Sequence, residues 1–275
     1  MSTSRDRRTE AEWREAIIQV CHLLGQKEYV SATDGNVSVR LDHDLFLATP
    51  SGFPKPLLRP EQLILINGEG QRVIRSRWGS DPSLQPTSEL LMHLEIYRQR
   101  PDVQAVVHAH PPTCVALSIA GISLAQCLLP EVVMTLGIIP TTAYGMPSSA
   151  EGAEIVRDLI QSHDALVLKR HGTVTVGKDP LDAYLKLEKV EHTARISFML
   201  HLLGRGEPLP PSEVARLLEV REKKRPLTPG EEEKFCAECG LCRPARQAIS
   251  EVSPLVEEVV SRVLEEVRGS QQRIF

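Results

Sequence analysis

Apolar side chains recur at three- and four-residue spacing through Trp13, Ala16, Ile17, Val20, Leu23 and Leu24, which predicts an amphipathic helix over residues 10–26 with Gly25 as its stop. The period then changes to two. Val37, Val39 and Leu41 alternate with polar residues after the turn-forming run Asp34-Gly35-Asn36, so a strand follows a turn there. Residues 45–49 and 63–66 read as short buried strands, and Asn67-Gly68 predicts a hairpin into residues 72–74. Pro86 introduces a second helix, from Thr87 to about Arg98, with Thr87 or Ser88 as N-cap and Leu90, Leu91, Leu94 and Tyr97 on one face. A strand over 103–110 is closed by Pro111-Pro112 and followed by a short helix over 113–120. Residues 130–134 and 138–140 show neither period. Ser148 or Ser149 caps a helix running to about Ser162, strands cover 165–168 and 173–176, and Asp179-Pro180 opens a helix reaching Leu203. Several strands joined by short returns imply a mainly antiparallel sheet.

Composition narrows the class. Of 275 residues, 41% are hydrophobic and 25% charged, as expected of a globular chain with one sizeable core and room for an appendage. Lysine and arginine number 32 against 36 acidic residues, a net charge of −4, so no electrostatic footprint for nucleic acid is expected. The polar N-terminal stretch lacks a signal-peptide apolar run, and no apolar stretch approaches the roughly 18 residues of a membrane span, so a cytoplasmic chain without a membrane partner is expected. Six cysteines in a chain of this length fit a reducing compartment better than a disulfide scaffold.

The chemistry gathers at Val106-Val107-His108-Ala109-His110. Histidines at i and i+2 of a strand point to one face, which supplies two of three imidazoles of a metal site. Alone, the pair reads as well as two strand-end histidines bonded to backbone. Two further stretches change the picture: a second apolar run ends in His171-Gly172, and Glu89 falls in the first turn predicted after Pro86, where a helix dipole favours a carboxylate. Three neutral ligands with a nearby base make a catalytic metal constellation.

In order and spacing, the set Asp34-Gly35-Asn36-Val37-Ser38-Val39-Arg40, Thr49-Pro50-Ser51-Gly52, Pro86-Thr87-Ser88-Glu89, Val106-Val107-His108-Ala109-His110, Ile139-Pro140 with Tyr144, and His171-Gly172 resembles the class II aldolase/adducin family over residues 10–205. The resemblance implies an α/β fold, a three-layer α/β/α arrangement around a central mainly antiparallel sheet. It implies a Zn²⁺ ion held by His108, His110 and His171, with Glu89 as acid and base. It further implies an anion- or phosphate-binding set of Gly35, Asn36, Ser51, Gly52, Thr87 and Ser88, a small hydroxy-ketone or sugar-phosphate substrate, and a homotetramer. The reaction it implies is aldol cleavage; a sugar-phosphate 4-epimerase, a keto-acid decarboxylase and a non-catalytic interaction module use the same scaffold. Two departures bear on the substrate. No tyrosine lies between residues 111 and 138, where the family's sugar-phosphate aldolases carry a proton donor, and Glu131 is the ionisable residue placed to substitute. Asp34, beside the anion-binding turn, would repel a phosphate if it faced inward.

The tail differs in composition. Residues 206–275 are expected to form a helical extension to the aldolase-like domain of residues 1–205: Glu207-Pro-Leu-Pro-Pro211 is linker-like, and helical patches cover 213–224 and 252–267. Cys236, Cys239 and Cys242 are either free thiols in a small turn or part of a second metal site completed by a distant ligand.

Overall fold

The computed structural model describes residues 8–75, 78 and 81–224. Helix α1 (Glu10–Gln26) opens on a capping box: the Thr9 side chain accepts from the Glu12 backbone, and the Glu12 carboxylate reaches back to the Thr9 N–H at 2.6 Å. Gly25 lies within this helix rather than ending it. A Cβ there would sit 2.2 Å from Pro56 Cγ, so glycine is needed for the close approach of the turn at residues 55–57.

Among the described residues, six strands follow the predicted order: β1 (Asn36–Asp42), β2 (Leu45–Ala48), β3 (Ile64–Ile66), β4 (Ala105–Ala109), β5 (Ala165–Leu168) and β6 (Gly172–Gly177). They form one sheet in the order β3-β2-β1-β4-β6-β5, antiparallel at every pairing. The expected return at 72–74 stays outside the sheet proper, with one bridge between Ile66 and Arg72 and a bond from Val73 N to Leu65 O.

Alternation along the strands sorts the side chains into two cores. Val37, Val39, Leu47, Ala105, Val107 and Ala109 face α1 and the long helix α7 (Pro180–Leu203), which starts at the Asp179 N-cap as expected. Phe46, Ile64, Ile66, Val106, Leu166, Val174 and Val176 face α2 (Leu90–Gln99) and the pair α5 (Ala150–Glu154) and α6 (Arg157–Ile160). The result is a three-layer α/β/α arrangement. Ile17 and Leu24 of α1 are fully buried; each contributes roughly 1.5–3 kcal/mol of hydrophobic stabilisation.

Two helices depart from the sequence reading. The helix after Pro86 begins at Leu90, with Glu89 at the N-cap position and neither Thr87 nor Ser88 capping it; the Thr87 hydroxyl instead accepts from Glu89 N at 3.4 Å. The helix after Ser149 is split into α5 and α6, and Gly152 within its first segment weakens helical propensity there. The two stretches without clear period resolve into α4 (Pro130–Thr135) and an extended run whose Thr141 bridges to β5.

Helices α3 (Pro112–Ala120) and α4 cover the β5 end of the sheet with Leu117, Val132 and Leu136 packed on Ala165 and Val167. Proline at the start leaves α3 without a side-chain cap of its own. The fully buried Glu191 carboxylate of α7 takes that role, accepting from Thr113 N at 3.2 Å and Cys114 N at 2.9 Å. Helix α8 (Pro211–Lys224) begins the extension and packs Val214 and Leu218 on Cys127, Val133 and Ile138 beside α4. The expected helix over 252–267 and Cys236, Cys239 and Cys242 lie outside the described residues.

Candidate metal centre and anion cleft

The register of the sheet builds the site. Asn36 of β1 pairs with His108 of β4, and Thr173 of β6 pairs with Ala109 on the other side. His110 lies just past β4, its N–H held by Tyr29 O at 2.8 Å. His171 is the last residue of the tight β5–β6 turn, which bends through Arg170 at φ +61°. Gly172 then lets β6 approach: a Cβ there would lie 2.4 Å from Ala109 O and 2.7 Å from His110 Cδ2. Three imidazoles from two strand ends therefore converge, with ring centroids 4.8–4.9 Å apart.

Glu89, at the entrance to α2, completes the group. Its Oε2 lies 2.7 Å from His108 Nε2 and its Oε1 3.4 Å from His171 Nε2. His108 and His110 bring their Nε2 atoms to 3.0 Å. One ligand atom from each of the four residues falls within 4.8 Å of all the others.

The hydrogen bonds decide what this group can hold. His108 Nδ1 donates to Thr173 O at 2.8 Å, which turns its Nε2 toward Glu89 and His110. His110 turns its Nδ1 toward the Asp34 carboxylate at 3.5 Å, again leaving Nε2 for the centre. Burial, reinforced by the neighbouring imidazoles, lowers His110 to about 4 and lowers His171 as well, which favours the neutral form that binds a metal. Acceptor atoms so close repel one another unless positive charge lies among them. Three imidazole nitrogens and a carboxylate oxygen fit a divalent cation. Burial alone would raise the Glu89 carboxyl, but His108, His171 and the Asn36 amide outweigh it and hold the group below the usual carboxylate range.

Beside the cluster lies a cleft of about 200 Å³, lined by Gly35, Asn36, Ser51, Gly52, Thr87 and Ser88 together with Asp34, Lys55, Glu89, His110 and His171. All six residues expected on the anion side thus line one cleft. Asp34 is half-exposed at the rim, near His110. Lys55 is buried and ties the two turns of the wall together, donating to Thr33 O at 2.6 Å and Phe53 O at 2.8 Å. Glu131 is exposed on α4 and is not among the residues lining this cleft.

Sequence reasoning missed a buried polar seam beneath Glu89. Asn36 donates to Glu89 Oε2 at 3.2 Å and faces His93 at 2.5 Å; His93 contacts Ser38 at 2.7 Å, and Ser38 contacts Tyr97 at 2.9 Å. The signal was present: Glu89, His93 and Tyr97 fall at i, i+4 and i+8 of a helix, opposite Asn36, Ser38 and Arg40 at i, i+2 and i+4 of a strand.

Comparison with known proteins gives a consistent picture. The model of the Class II Aldolase and Adducin N-terminal domain matches residues 15–198. An L-fuculose phosphate aldolase of Methanococcus maripaludis is 36% identical over 186 residues, covering 68% of this chain and 96% of that protein. A 3-oxo-tetronate 4-phosphate decarboxylase of Escherichia coli K12 is 30% identical over 197 residues, covering 70% of this chain and 89% of that protein. Among solved structures, L-fuculose-1-phosphate aldolase from Thermus thermophilus superposes with a TM-score of 0.62 at 32% identity, covering 74% of this chain and 100% of that one. YgbL from Escherichia coli gives a TM-score of 0.68 at 28% identity over 78% and 100% of the two chains. The match takes in every strand of the sheet and every residue of the histidine cluster: the chain belongs to the class II aldolase and adducin family.

Proposed function

We propose that the protein is a zinc-dependent lyase that cleaves or forms a carbon–carbon bond beside a ketone in a small hydroxy-ketone or sugar phosphate. The observation that carries this reading is the placement of the Glu89 carboxylate, 2.7 Å from His108 Nε2 and also on the wall of the anion cleft. Metal ligands, base and substrate space share one residue.

His108, His110 and His171 would hold the Zn²⁺ ion through their Nε2 atoms, with Glu89 able to touch it when substrate is absent. The ion supplies Lewis acidity, stabilising negative charge that develops on the ketone and hydroxyl oxygens. The remaining work falls to the chain. When the bond breaks, its electron pair stays with the ketone-bearing fragment, whose carbon must then gain a proton. Glu89, ionised at rest and oriented by Asn36, takes up the proton released by the hydroxyl that becomes the aldehyde and returns it to that carbon. Backbone N–H groups and hydroxyls of Gly35, Asn36, Ser51, Gly52, Thr87 and Ser88 orient an anionic end group. Lys55 sets positive charge behind that wall. The assembly that goes with this reading is a homotetramer; Phe198, Met199, Leu202 and Leu203 at the exposed end of α7 offer apolar area to bury.

Metal content of the wild type and of His108→Ala tests the centre: about one zinc per chain is expected in the first and none at this site in the second, with Cys236, Cys239 and Cys242 replaced in both. Equal zinc would refute it. A panel of sugar phosphates with reductase-coupled detection of released aldehyde tests the reaction. A second reading, decarboxylation of a phosphorylated β-keto acid, is favoured by the absence of tyrosine between residues 111 and 138, since loss of CO₂ needs no acid for an aldehyde oxygen. Carbon dioxide release without aldehyde would select it.

A further inference from the structure

The seam between β1 and α2 is a chain of hydrogen bonds with one direction. We propose that His93 is a positioning residue for the reaction, fixing the Asn36 amide so that its NH₂ group faces Glu89 and the cleft. This rests on the reading that Glu89 moves the proton. Each link follows from the one before. Asn36 Nδ2 donates to Glu89 Oε2 at 3.2 Å, so Asn36 Oδ1 is the atom turned to His93 Nε2 at 2.5 Å, and that nitrogen carries the hydrogen. His93 Nδ1 is then an acceptor and takes the Ser38 hydroxyl hydrogen at 2.7 Å. Ser38, its hydrogen committed, accepts from the Tyr97 hydroxyl at 2.9 Å.

No link can reverse alone. A flipped Asn36 would set its oxygen against the Glu89 carboxylate, acceptor on acceptor, and its NH₂ against a nitrogen that already carries hydrogen. His93 and Ser38 are fully buried and Asn36 and Tyr97 nearly so, so water cannot rescue a broken link. Burial also keeps the imidazole neutral, which preserves its two unlike nitrogens. Asn36 lines the cleft as well, so the same orientation presents a donor, not an acceptor, to the substrate's anionic end. His93 therefore sets the polarity of a residue that serves both Glu89 and the ligand, without touching either.

Nitrogen-15 spectra of histidine-labelled protein read the tautomer directly and need no substrate. A neutral His93 with hydrogen on Nε2 is expected; hydrogen on Nδ1, or a cationic ring at neutral pH, overturns the proposal. Kinetics provide the second measurement. His93→Phe should keep its zinc and lose kcat by roughly ten- to hundred-fold, the usual cost of removing a group that orients a site residue. His93→Gln, which restores a donor and an acceptor on one side chain, should recover most of that loss. Unchanged kcat in His93→Phe overturns the proposal, as does a loss that tracks lost zinc and is not restored by Gln. Should the wild type turn over nothing on the panel, the proposed activity falls, while the tautomer still decides the direction of the chain.

Discussion

On the α1 side of β1, Val37 and Val39 are sealed among aliphatic side chains; on the α2 side, Asn36 and Ser38 are sealed just as fully, yet each has polar partners. One strand thus separates two interiors. The first is held by area removed from water and has no preferred direction. The second is held by donors and acceptors that must match one to one, and it ends at the residues proposed for chemistry. The comparison teaches that burial alone does not identify a structural core. In this sheet the buried polar face marks the path to the site.

The two sides should fail differently. The largest effect is expected from Glu89→Gln, which should keep the shape and the proposed metal but lower kcat by about 10²–10⁴, the range for loss of a general base. Steady-state kinetics with a metal assay check it, and turnover near wild type would remove Glu89 from the mechanism. Across the sheet, Leu24→Ala empties a fully buried site and should cost about 2–5 kcal/mol by denaturant unfolding, with kcat per folded molecule unchanged. A loss of kcat there would erase the distinction between the sides.

A smaller effect is expected at the rim. Asp34→Asn removes the carboxylate facing His110 Nδ1 and should weaken zinc about 10- to 100-fold in a chelator competition, with little effect on global stability. The smallest sharpens the contrast through pH. Burial lowers His93 from 6.5 to about 3, with His108 adding to the shift and Glu89 opposing it. Below pH 6.5 the unfolded chain takes up a proton at this position that the native chain refuses. The contribution is therefore full above pH 6.5 and is lost as pH falls toward 3, at no more than about 1.4 kcal/mol per pH unit. Unfolding curves at neutral and mildly acid pH should show this slope in the wild type and a shallower one in His93→Phe.

The histidine cluster was legible because its residues sit where a short-range rule applies. Period two put His108 and His110 on one face, and an apolar run with a glycine marked His171 as a strand end. The sheet was legible from alternation in β1 and β6 and from short apolar runs bounded by turn residues in β2, β3 and β5. The seam was not, because reading it requires the register: only the pairing of β1 with β4 and the docking of α2 place Asn36 next to His93. Read alone, α2 offered its leucines as the packing face, whereas Leu91 is exposed and His93 and Glu95 are buried. Glycines misled in a similar way. Gly25 has the residue type of a helix stop, but its role is to admit Pro56, a neighbour that sequence distance conceals.

The reach of Glu191 from α7 to the start of α3 has a consequence on the time axis. First-turn amides of a helix have no partner within the helix, and at an exposed end they exchange their hydrogen with water quickly. Here the Thr113 and Cys114 amides are tied to a carboxylate supplied by a helix more than seventy residues further along the chain. Their exchange should wait for α7 to lift away. Two backbone hydrogens next to the histidine strand thus become a clock for the opening of that long helix, readable without labels, ligand or turnover.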